Sequence, residues 1–165
     1  MERRAQVTTS RHRKELLFEM TSTGNRRKLI LLVEDNAGDY RLTQEALREG
    51  KVYNNLHWTK DGVEALDFLH RRGRYGDSPR PDLILLDLNL PKKDGREVLS
   101  EIKTDAALKT IPVVILTTSQ AEEDILKSYH LHANCYVTKP VDLDKFIVVV
   151  QSIDRFWLTI ATLPR

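Results

Sequence analysis

Acidic residues stand at the ends of the most apolar segments of this chain. Asp87 follows the segment 83–86, which is Leu-Ile-Leu-Leu, and the pair Glu34-Asp35 follows the apolar segment 29–33. A charged carboxylate at the end of a buried parallel strand is costly unless it binds a metal or takes part in chemistry. These carboxylates are therefore the first candidates for a functional site.

A hydroxyl and an amine stand at equivalent places in two later apolar segments. Thr117 ends the segment 112–117, and Lys139 follows the segment 134–138 and precedes Pro140. Each residue taken singly has a structural explanation. The carboxyl ends of parallel strands face one crevice, however, so three carboxylates, a hydroxyl and an ammonium are expected to meet there.

This combination of groups indicates phosphoryl transfer. Neighbouring carboxylates repel one another, and a hard divalent cation with oxygen ligands relieves the repulsion. Mg²⁺ is the best match, because it uses one or two carboxylates and keeps positions for phosphate oxygens. A magnesium ion, a carboxylate nucleophile, a lysine and a hydroxyl are the parts needed to move a phosphoryl group onto an aspartate.

The pattern of the whole chain predicts the sheet that would position these groups. Short apolar segments alternate with longer amphipathic segments, which is the signature of βα units. The chain is therefore predicted to form an α/β fold, a doubly wound parallel sheet in the flavodoxin-like strand order 2-1-3-4-5. The more polar segment 54–58 is expected at the sheet edge. Predicted strands cover 28–34, 53–58, 82–87, 112–117 and 134–138, and predicted helices cover 38–49, 61–70, 95–104, 121–131 and 141–157.

Two further acids are assigned to helix starts. Asp61 and Asp94 each precede a predicted helix and are followed three residues later by glutamate, as in a capping box. Because capping accounts for both acids, neither is expected to bind a metal.

The site residues resemble the response-regulator receiver family from about Lys28 to about Ile153. The resemblance implies that Asp87 takes a phosphoryl group from a histidine kinase and that the Lys139–Pro140 bond is cis. Catalysis would be limited to the chain's own phosphorylation and dephosphorylation. By the same resemblance, Mg²⁺ binds to Glu34, Asp35, Asp87 and the backbone carbonyl of Asn89, the phosphate binds to Thr117, Thr118 and Lys139, and the switch residues are Thr117 and Tyr136.

A finer resemblance concerns three stretches of the chain. The segment 74–95, the residues 116–119 and the pair Phe156-Trp157 are similar to the small stand-alone regulators of bacterial and cyanobacterial phytochrome kinases. This likeness implies a phytochrome histidine kinase as partner.

Two other functions account for parts of the pattern. A magnesium-dependent hydrolase with an aspartyl-phosphate intermediate also attacks with a strand-end aspartate, but it needs a second aspartate two residues later, and position 89 is Asn. An interaction module that is not phosphorylated would keep the receiver fold but would have lost some of the polar site residues. The complete set of polar residues argues against this function. Reaction with acetyl phosphate separates these cases.

Composition and charge indicate one folded unit with a basic tail. Residues 1–28 contain eight Lys/Arg and three acids, whereas the remainder has eighteen against twenty-one. We expect a tail over 1–27, a receiver over 28–155 and an extension of the last helix over 156–165, with no room for a DNA-binding output domain. One cysteine, Cys135, and no apolar segment of membrane-spanning length indicate a cytoplasmic protein.

The end of the chain is unusually apolar. Segment 141–160 supplies one helical stripe for the core and further apolar residues beyond it, and surplus apolar groups often mark a partner surface. A homodimer is therefore predicted, and the alternative is that the last residues of the chain fold back and cover these groups. The interface is assigned to Phe146, Phe156, Trp157 and Leu158.

Arginine is concentrated in the insertion 70–81, which has four arginines and one acid. Its Gly and Pro content predicts a loop. Docking of an acidic partner is one role for it, and an ordinary solvated loop is the other.

Overall fold

The structure is a computed structural model that describes residues 27–50, 54–118, 130 and 132–160. These residues form a five-stranded sheet in the order β2-β1-β3-β4-β5, and every neighbouring pair is parallel. The predicted topology is thus confirmed, with the more polar strand at one edge. The strands are β1 (Lys28–Val33), β2 (Asn54–Thr59), β3 (Leu83–Leu86), β4 (Val113–Thr117) and β5 (Cys135–Thr138).

Helices follow the strands, as a doubly wound fold requires. They are α1 (Ala37–Glu49), α2 (Gly62–Leu69), α3 (Gly95–Thr104) and α4 (Leu143–Arg155), with a 3₁₀ turn at Gly73–Tyr75 and a π-helical turn at Phe156–Ile160. The predicted helix over 121–131 and the predicted basic tail over 1–27 lie almost entirely outside the described residues. No described helix has the length and apolar character to cross a membrane.

Two apolar cores cover the two faces of the sheet. Successive side chains of a strand point to opposite faces. Leu31 and Val33 therefore join the core that includes α2 and α3, whereas Ile30 and Leu32 join the core that includes α4. This arrangement explains why the central strands are apolar throughout, because neither of their faces meets solvent.

Side-chain caps begin the helices directly after the strand ends. Asp61 accepts a hydrogen bond from the backbone N–H of Glu64 at 2.8 Å. Asp94 forms the predicted capping box with Glu97. Asn36 caps α1 in the same way, accepting from the two backbone N–H groups of Gly38 and Asp39. The caps therefore place the first turn of each helix beside the polar strand ends.

Gly95 allows the loop after β3 to close on itself. A Cβ atom at this position would lie 2.2 Å from the carbonyl oxygen of Asp87, closer than atoms can approach. The backbone N–H of Gly95 instead donates to the carbonyl of Leu88 at 2.9 Å. The start of α3 is thereby packed against the backbone of Asp87.

Candidate functional site

The amine of Lys139 lies among three carboxylates at the carboxyl edge of the sheet. Its Nζ is hydrogen bonded to Glu34, and it lies 2.8 Å from both Asp87 Oδ2 and Asp39 Oδ2. Glu34 follows β1, Asp87 follows β3 and Lys139 follows β5, whereas Asp39 lies in the first turn of α1. The predicted convergence of strand ends is confirmed for these three strands.

The members of this acid cluster (Glu34, Asp39, Asp87 and Lys139) differ in exposure. The side chain of Lys139 is 4% exposed and that of Asp87 is 8% exposed, whereas that of Asp39 is 32% exposed. Glu34 is as deeply buried as Lys139. One side of the cluster is therefore closed off by the sheet and the other side, at α1, is open to water.

Burial and mutual charge change how these groups hold protons. Burial raises the pKa of Glu34 to about 7, although the Lys139 ammonium acts in the opposite direction. Burial alone would lower the pKa of Lys139, but the negative charges of Asp87 and Glu34 and hydrogen bonds to Asp39 and Asp87 outweigh it and raise that pKa. Lys139 is therefore charged at neutral pH, whereas Glu34 gains or loses its proton near neutral pH.

Backbone groups orient the two buried carboxylates. The N–H of Asn89 donates to Asp87 Oδ1 at 2.9 Å, and the N–H of Asn36 donates to Glu34 Oε1 at 2.9 Å. In addition, the backbone N–H of Asp87 bonds to the carbonyl of Val33 at 3.0 Å. Both carboxylates are thus fixed by the turns that follow their strands.

The stacked rings of Tyr40 and Trp58 support the turn that carries Glu34 and Asp35. The indole N–H of Trp58 donates to the backbone carbonyl of Glu34 at 2.6 Å. The ring of Trp58 is stacked on that of Tyr40 at a centroid distance of 4.0 Å. Strand β2 and helix α1 are therefore connected at the same edge of the sheet, next to the acid cluster.

The donor set of the cluster fits a hard divalent cation. Its acceptors are all carboxylate oxygens, the ligands that Mg²⁺ and Mn²⁺ prefer. Three carboxylates face one ammonium, so negative charge is in excess. These carboxylates are arranged around the Lys139 ammonium, and among the described residues no group of three or more His, Cys, Asp or Glu side chains has the geometry of a metal site, so it is the type of donor that fits the ion. Asp35 and Asn89, two of the predicted ligands, lie exposed beside the cluster.

The predicted phosphate-binding threonines, Thr117 and Thr118, lie at the end of β4, next to the strand that precedes Lys139. Thr117 ends β4 and is paired with Thr138 of β5. Its side chain is outside the described part, so the role of its hydroxyl stays a prediction, as does that of the exposed Thr118. Tyr136 is half-buried in β5 and packs against the core shared with α2 and α3.

Two predictions are wrong, one on the peptide bond before Pro140 and one on the place of Phe146. The described residues contain no cis peptide bond, so Lys139–Pro140 is trans, which is the usual state of such bonds. With this bond trans, the amine of Lys139 still lies among the three carboxylates. Phe146, assigned to an interface, is buried in the core at 4% exposure, because the apolar stripe of α4 faces the sheet.

The other residues assigned to the interface lie in the π-helical turn after α4. Trp157 and Leu158 are half-buried against the core, whereas Phe156 is 50% exposed. Val148, on α4 itself, is 61% exposed. Cys135 is half-buried in β5 and packs against the same core.

Most arginines of the insertion 70–81 contact their own chain. Arg74 bonds to Glu64 and to the hydroxyl of Tyr75, and Arg80 bonds to the carbonyl of Ala107 and to Thr110. These contacts fix the loop to α2 and to the segment before β4. They weaken the case for an acidic docking partner, because they occupy the guanidinium groups.

Three residues of the site were not foreseen from the sequence: Asp39, Tyr40 and Trp58. An acid at the third position of a helix interacts favourably with the helix dipole, so the presence of Asp39 there had an ordinary explanation. The aromatic residues had one as well, since strands and helix faces commonly carry them. The only available signal was the proximity of Asp39 to the acid pair in the chain.

Comparison with known proteins gives a consistent result. The sequence matches the family model of the response regulator receiver domain over residues 30–151. It is 54% identical over 145 residues to the response regulator Rcp1 of Synechocystis, a match that covers 88% of this chain and 99% of that protein.

Solved structures resemble the fold closely. The phosphorylated cyanobacterial phytochrome response regulator RcpA aligns with a TM-score of 0.82 at 55% identity, covering 85% of this chain and 100% of that one. The Mn²⁺-bound form of Rcp1 aligns with a TM-score of 0.81 at 55% identity, covering 84% and 99%.

Proposed function

Because this chain belongs to the response-regulator receiver family, we propose that it accepts a phosphoryl group on Asp87 in two-component signalling. The observation that carries the proposal is the position of the Asp87 carboxylate. It ends a central strand, is nearly buried, and lies 2.8 Å from the Lys139 amine. A receiver unit over 28–155 would then be the functional part, in agreement with the matched residues 30–151.

The chemistry is a transfer from phosphohistidine to carboxylate. A phosphorus–oxygen bond forms at Asp87 while the phosphorus–nitrogen bond of the donor breaks, and the imidazole keeps the electron pair and takes up a proton from water. Lys139 offsets the charge of the phosphoryl oxygens, and the N–H of Asn89 keeps the carboxylate oriented. Asp87 is thus a nucleophile that needs no proton removed, and the chain would catalyse only its own phosphorylation and dephosphorylation.

We further propose Mg²⁺ as the bound metal, held by Glu34, Asp35, Asp87 and the backbone carbonyl of Asn89. The excess of carboxylates supports a divalent cation, and a relative of this chain binds Mn²⁺. When bound, the ion would neutralise charge on the transferring phosphoryl group. Thr117, Thr118 and Lys139 would bind the phosphate, and Thr117 and Tyr136 would transmit its arrival.

Labelling with acetyl phosphate tests the acceptor. The wild type with Mg²⁺ is expected to form a stable aspartyl phosphate, and Asp87→Asn is expected to form none while keeping its fold. Asp144→Asn, an exposed acid on α4, is the matched control and should label normally. Labelling of the Asp87→Asn protein would contradict the assignment, rapid turnover of phosphoesters would favour a hydrolase, and an unreactive wild type would favour an inert interaction module. A chelator should stop the labelling.

The proposed phosphoryl donor is a sensor histidine kinase of the phytochrome type. Relatives at 54% and 55% identity are cyanobacterial regulators, one of them described as a phytochrome response regulator. Such a relay would operate in the cytoplasm. Phosphotransfer profiling against the histidine kinases of the same cell is the test, and preferential transfer from a kinase without a phytochrome sensor would refute this pairing.

Self-association is proposed at the end of α4. Phe156, directly after α4, and Val148, within it, present exposed apolar side chains, and aromatic residues are common anchors in interfaces. Sedimentation of the wild type and of a double change at Phe156 and Leu158 is the test. A wild type that is monomeric at tens of micromolar, with and without phosphorylation, would exclude the homodimer.

A further inference from the structure

Asp39 is the one member of the acid cluster that does not follow a strand. It lies in the first turn of α1, and its Oδ2 is 2.8 Å from Lys139 Nζ. Its backbone N–H donates to Asn36 Oδ1 at 3.1 Å, and its carbonyl accepts from Thr43 Oγ1 at 2.8 Å. The backbone that carries this carboxylate is thus held at a fixed place beside the lysine.

The neighbouring aromatic contacts hold the same turn. Tyr40 follows Asp39 in the chain and stacks on Trp58, whose indole N–H is bonded to the carbonyl of Glu34. The first turn of α1 is therefore attached to both β1 and β2. Asp39 cannot move away from Lys139 without disturbing these contacts, unless its side chain rotates.

The hydrogen-bonding capacity of Lys139 is fully used. An ammonium has three N–H donors and no acceptor. Lys139 has three carboxylate partners, Glu34, Asp39 and Asp87. Under the proposed function, a phosphoryl oxygen on Asp87 can therefore bind to the lysine only if one of these partners is given up.

Exposure determines which partner is released at least cost. A buried carboxylate that loses its cation stays unpaired in a medium of low polarity, whereas an exposed one is solvated by water. Glu34 and Asp87 are buried, and Asp39 is 32% exposed. Asp39 is thus the partner that water replaces most readily.

We propose that Asp39 is a positioning residue that acts through Lys139, holding the amine on the α1 side of the cluster until a phosphoryl group on Asp87 takes its place. Asp39 opposes phosphorylation because it competes with the phosphoryl oxygens for an N–H donor of the lysine. The inference rests on the proposed function of Asp87 and Lys139.

The rate of phosphorylation by acetyl phosphate in Mg²⁺ is the first measurement. Asp39→Asn removes the charge at nearly constant shape and is expected to raise the rate about twofold to fivefold, the effect of losing a partly exposed ion pair. Asp39→Glu keeps the charge and is expected to lie closer to the wild type. Glu45→Gln removes an exposed charge from the same helix away from the cluster and is the matched control.

A double-mutant cycle tests the route through the lysine. The effect of Asp39→Asn should disappear when Lys139 is replaced by Gln, because among the described residues the lysine is what connects this carboxylate to the phosphoryl group. Persistence of the effect in that background would overturn the proposal. So would an unchanged or slower rate in Asp39→Asn alone, or an equal gain in the Glu45→Gln control.

A second measurement does not need a Lys139 variant, which is useful if that protein folds poorly. Hydrogen exchange of the Lys139 ammonium, followed by ¹⁵N NMR, should be faster in Asp39→Asn than in the wild type, because one N–H loses its partner. Unchanged exchange would overturn the proposal. A wild-type protein that is not labelled at Asp87 would be a separate result, since it would refute the proposed function and not the role of Asp39.

Discussion

Buried acids occur at both the carboxyl edge and the amino edge of the sheet, but their hydrogen-bond partners differ. At the carboxyl edge, Glu34 and Asp87 share the ammonium of Lys139. At the opposite edge, Asp154 of α4 is 2% exposed and has a neutral partner, Asn54 at the start of β2, whose amide donates to it at 3.1 Å. Burial raises the pKa of Asp154 to about 6, with the hydrogen bond from Asn54 acting in the opposite direction.

The difference shows what distinguishes a functional cluster from a buried acid. Asp154 can reduce the cost of burial by keeping a proton as the pH falls toward its pKa. In the acid cluster, each carboxylate instead lies beside the ammonium of Lys139, which a separate strand supplies. Convergence of several elements with opposite charges, rather than burial, is therefore the mark of the site.

The largest expected effect follows removal of the central cation. Lys139→Met leaves Glu34 and Asp87 buried without their ammonium, which should lower the free energy of unfolding by about 3 kcal/mol at pH 8. The loss should shrink at pH 5, because burial raises the pKa of Glu34 to about 7 and a protonated Glu34 needs no cation. Urea unfolding at both pH values measures it, with Lys145→Met, an exposed lysine of α4, as control. An equal loss at the two pH values would contradict the electrostatic explanation.

Removal of the charge at the other edge should have the opposite sign. The pKa of Asp154 is raised from 3.8 to about 6 on folding, so the folded state binds the proton more tightly and stability falls as pH rises from 3.8 to 6. Asp154→Asn avoids this loss. The variant should be more stable than the wild type by up to about 3 kcal/mol above pH 6, with no gain below pH 4. Urea unfolding across this range checks it. Asp144→Asn, on the exposed side of α4, should show no such pH-dependent gain.

A smaller effect is expected from the aromatic support of the acid pair. Trp58→Phe keeps a ring to stack on Tyr40 but removes the N–H that bonds to the Glu34 carbonyl, at a cost of about 1 kcal/mol. Magnesium affinity should fall as well, because the turn that carries Glu34 and Asp35 loses a support. Thermal unfolding and metal titration measure the two effects. Trp157→Phe is the control, and equal changes in metal affinity would argue against a local role for Trp58.

The smallest effect is expected at an ion pair near the same edge in which the cation is exposed. The side chain of Lys92 is 66% exposed, and that of its partner Asp61 is 8% exposed but keeps the hydrogen bond from the Glu64 N–H. Water solvates the Lys92 ammonium almost as well as Asp61 does. Lys92→Gln should therefore lower the urea midpoint only slightly and leave the rate of phosphorylation unchanged. A clear loss in either would mean that exposure is a poor guide to the importance of charges at this edge.

The contrast between the two edges also limits what could be predicted from the sequence. Apolar strands, their polar ends and the capping acids have local signatures, and these were enough to predict the strand order and the meeting of Glu34, Asp87 and Lys139. Asp154 and Asp39 have no such signature. Each lies on a helix where an acid is ordinary, and only the packing of that helix decides whether the carboxylate meets solvent, an amide or a lysine.

The wrong predictions have related causes. The geometry of Lys139–Pro140 depends on how the chain leaves β5, which side-chain chemistry does not determine. Phe146 is assigned to an interface from the sequence, but it belongs to the apolar stripe of α4 that packs against the sheet. Contacts between residues far apart in the chain, such as Trp58 with Glu34, are set by packing alone.

The contact between Trp58 and Glu34 provides an optical probe of the site. Indole emission responds to nearby charge and to the partner of its N–H, and this indole is stacked on Tyr40 beside the acid cluster. The chain contains two tryptophans, and the other, Trp157, follows α4. In a Trp157→Phe protein, all tryptophan fluorescence would come from the carboxyl edge of the sheet. Binding of a cation and arrival of a phosphoryl group could then be followed in real time without an added dye.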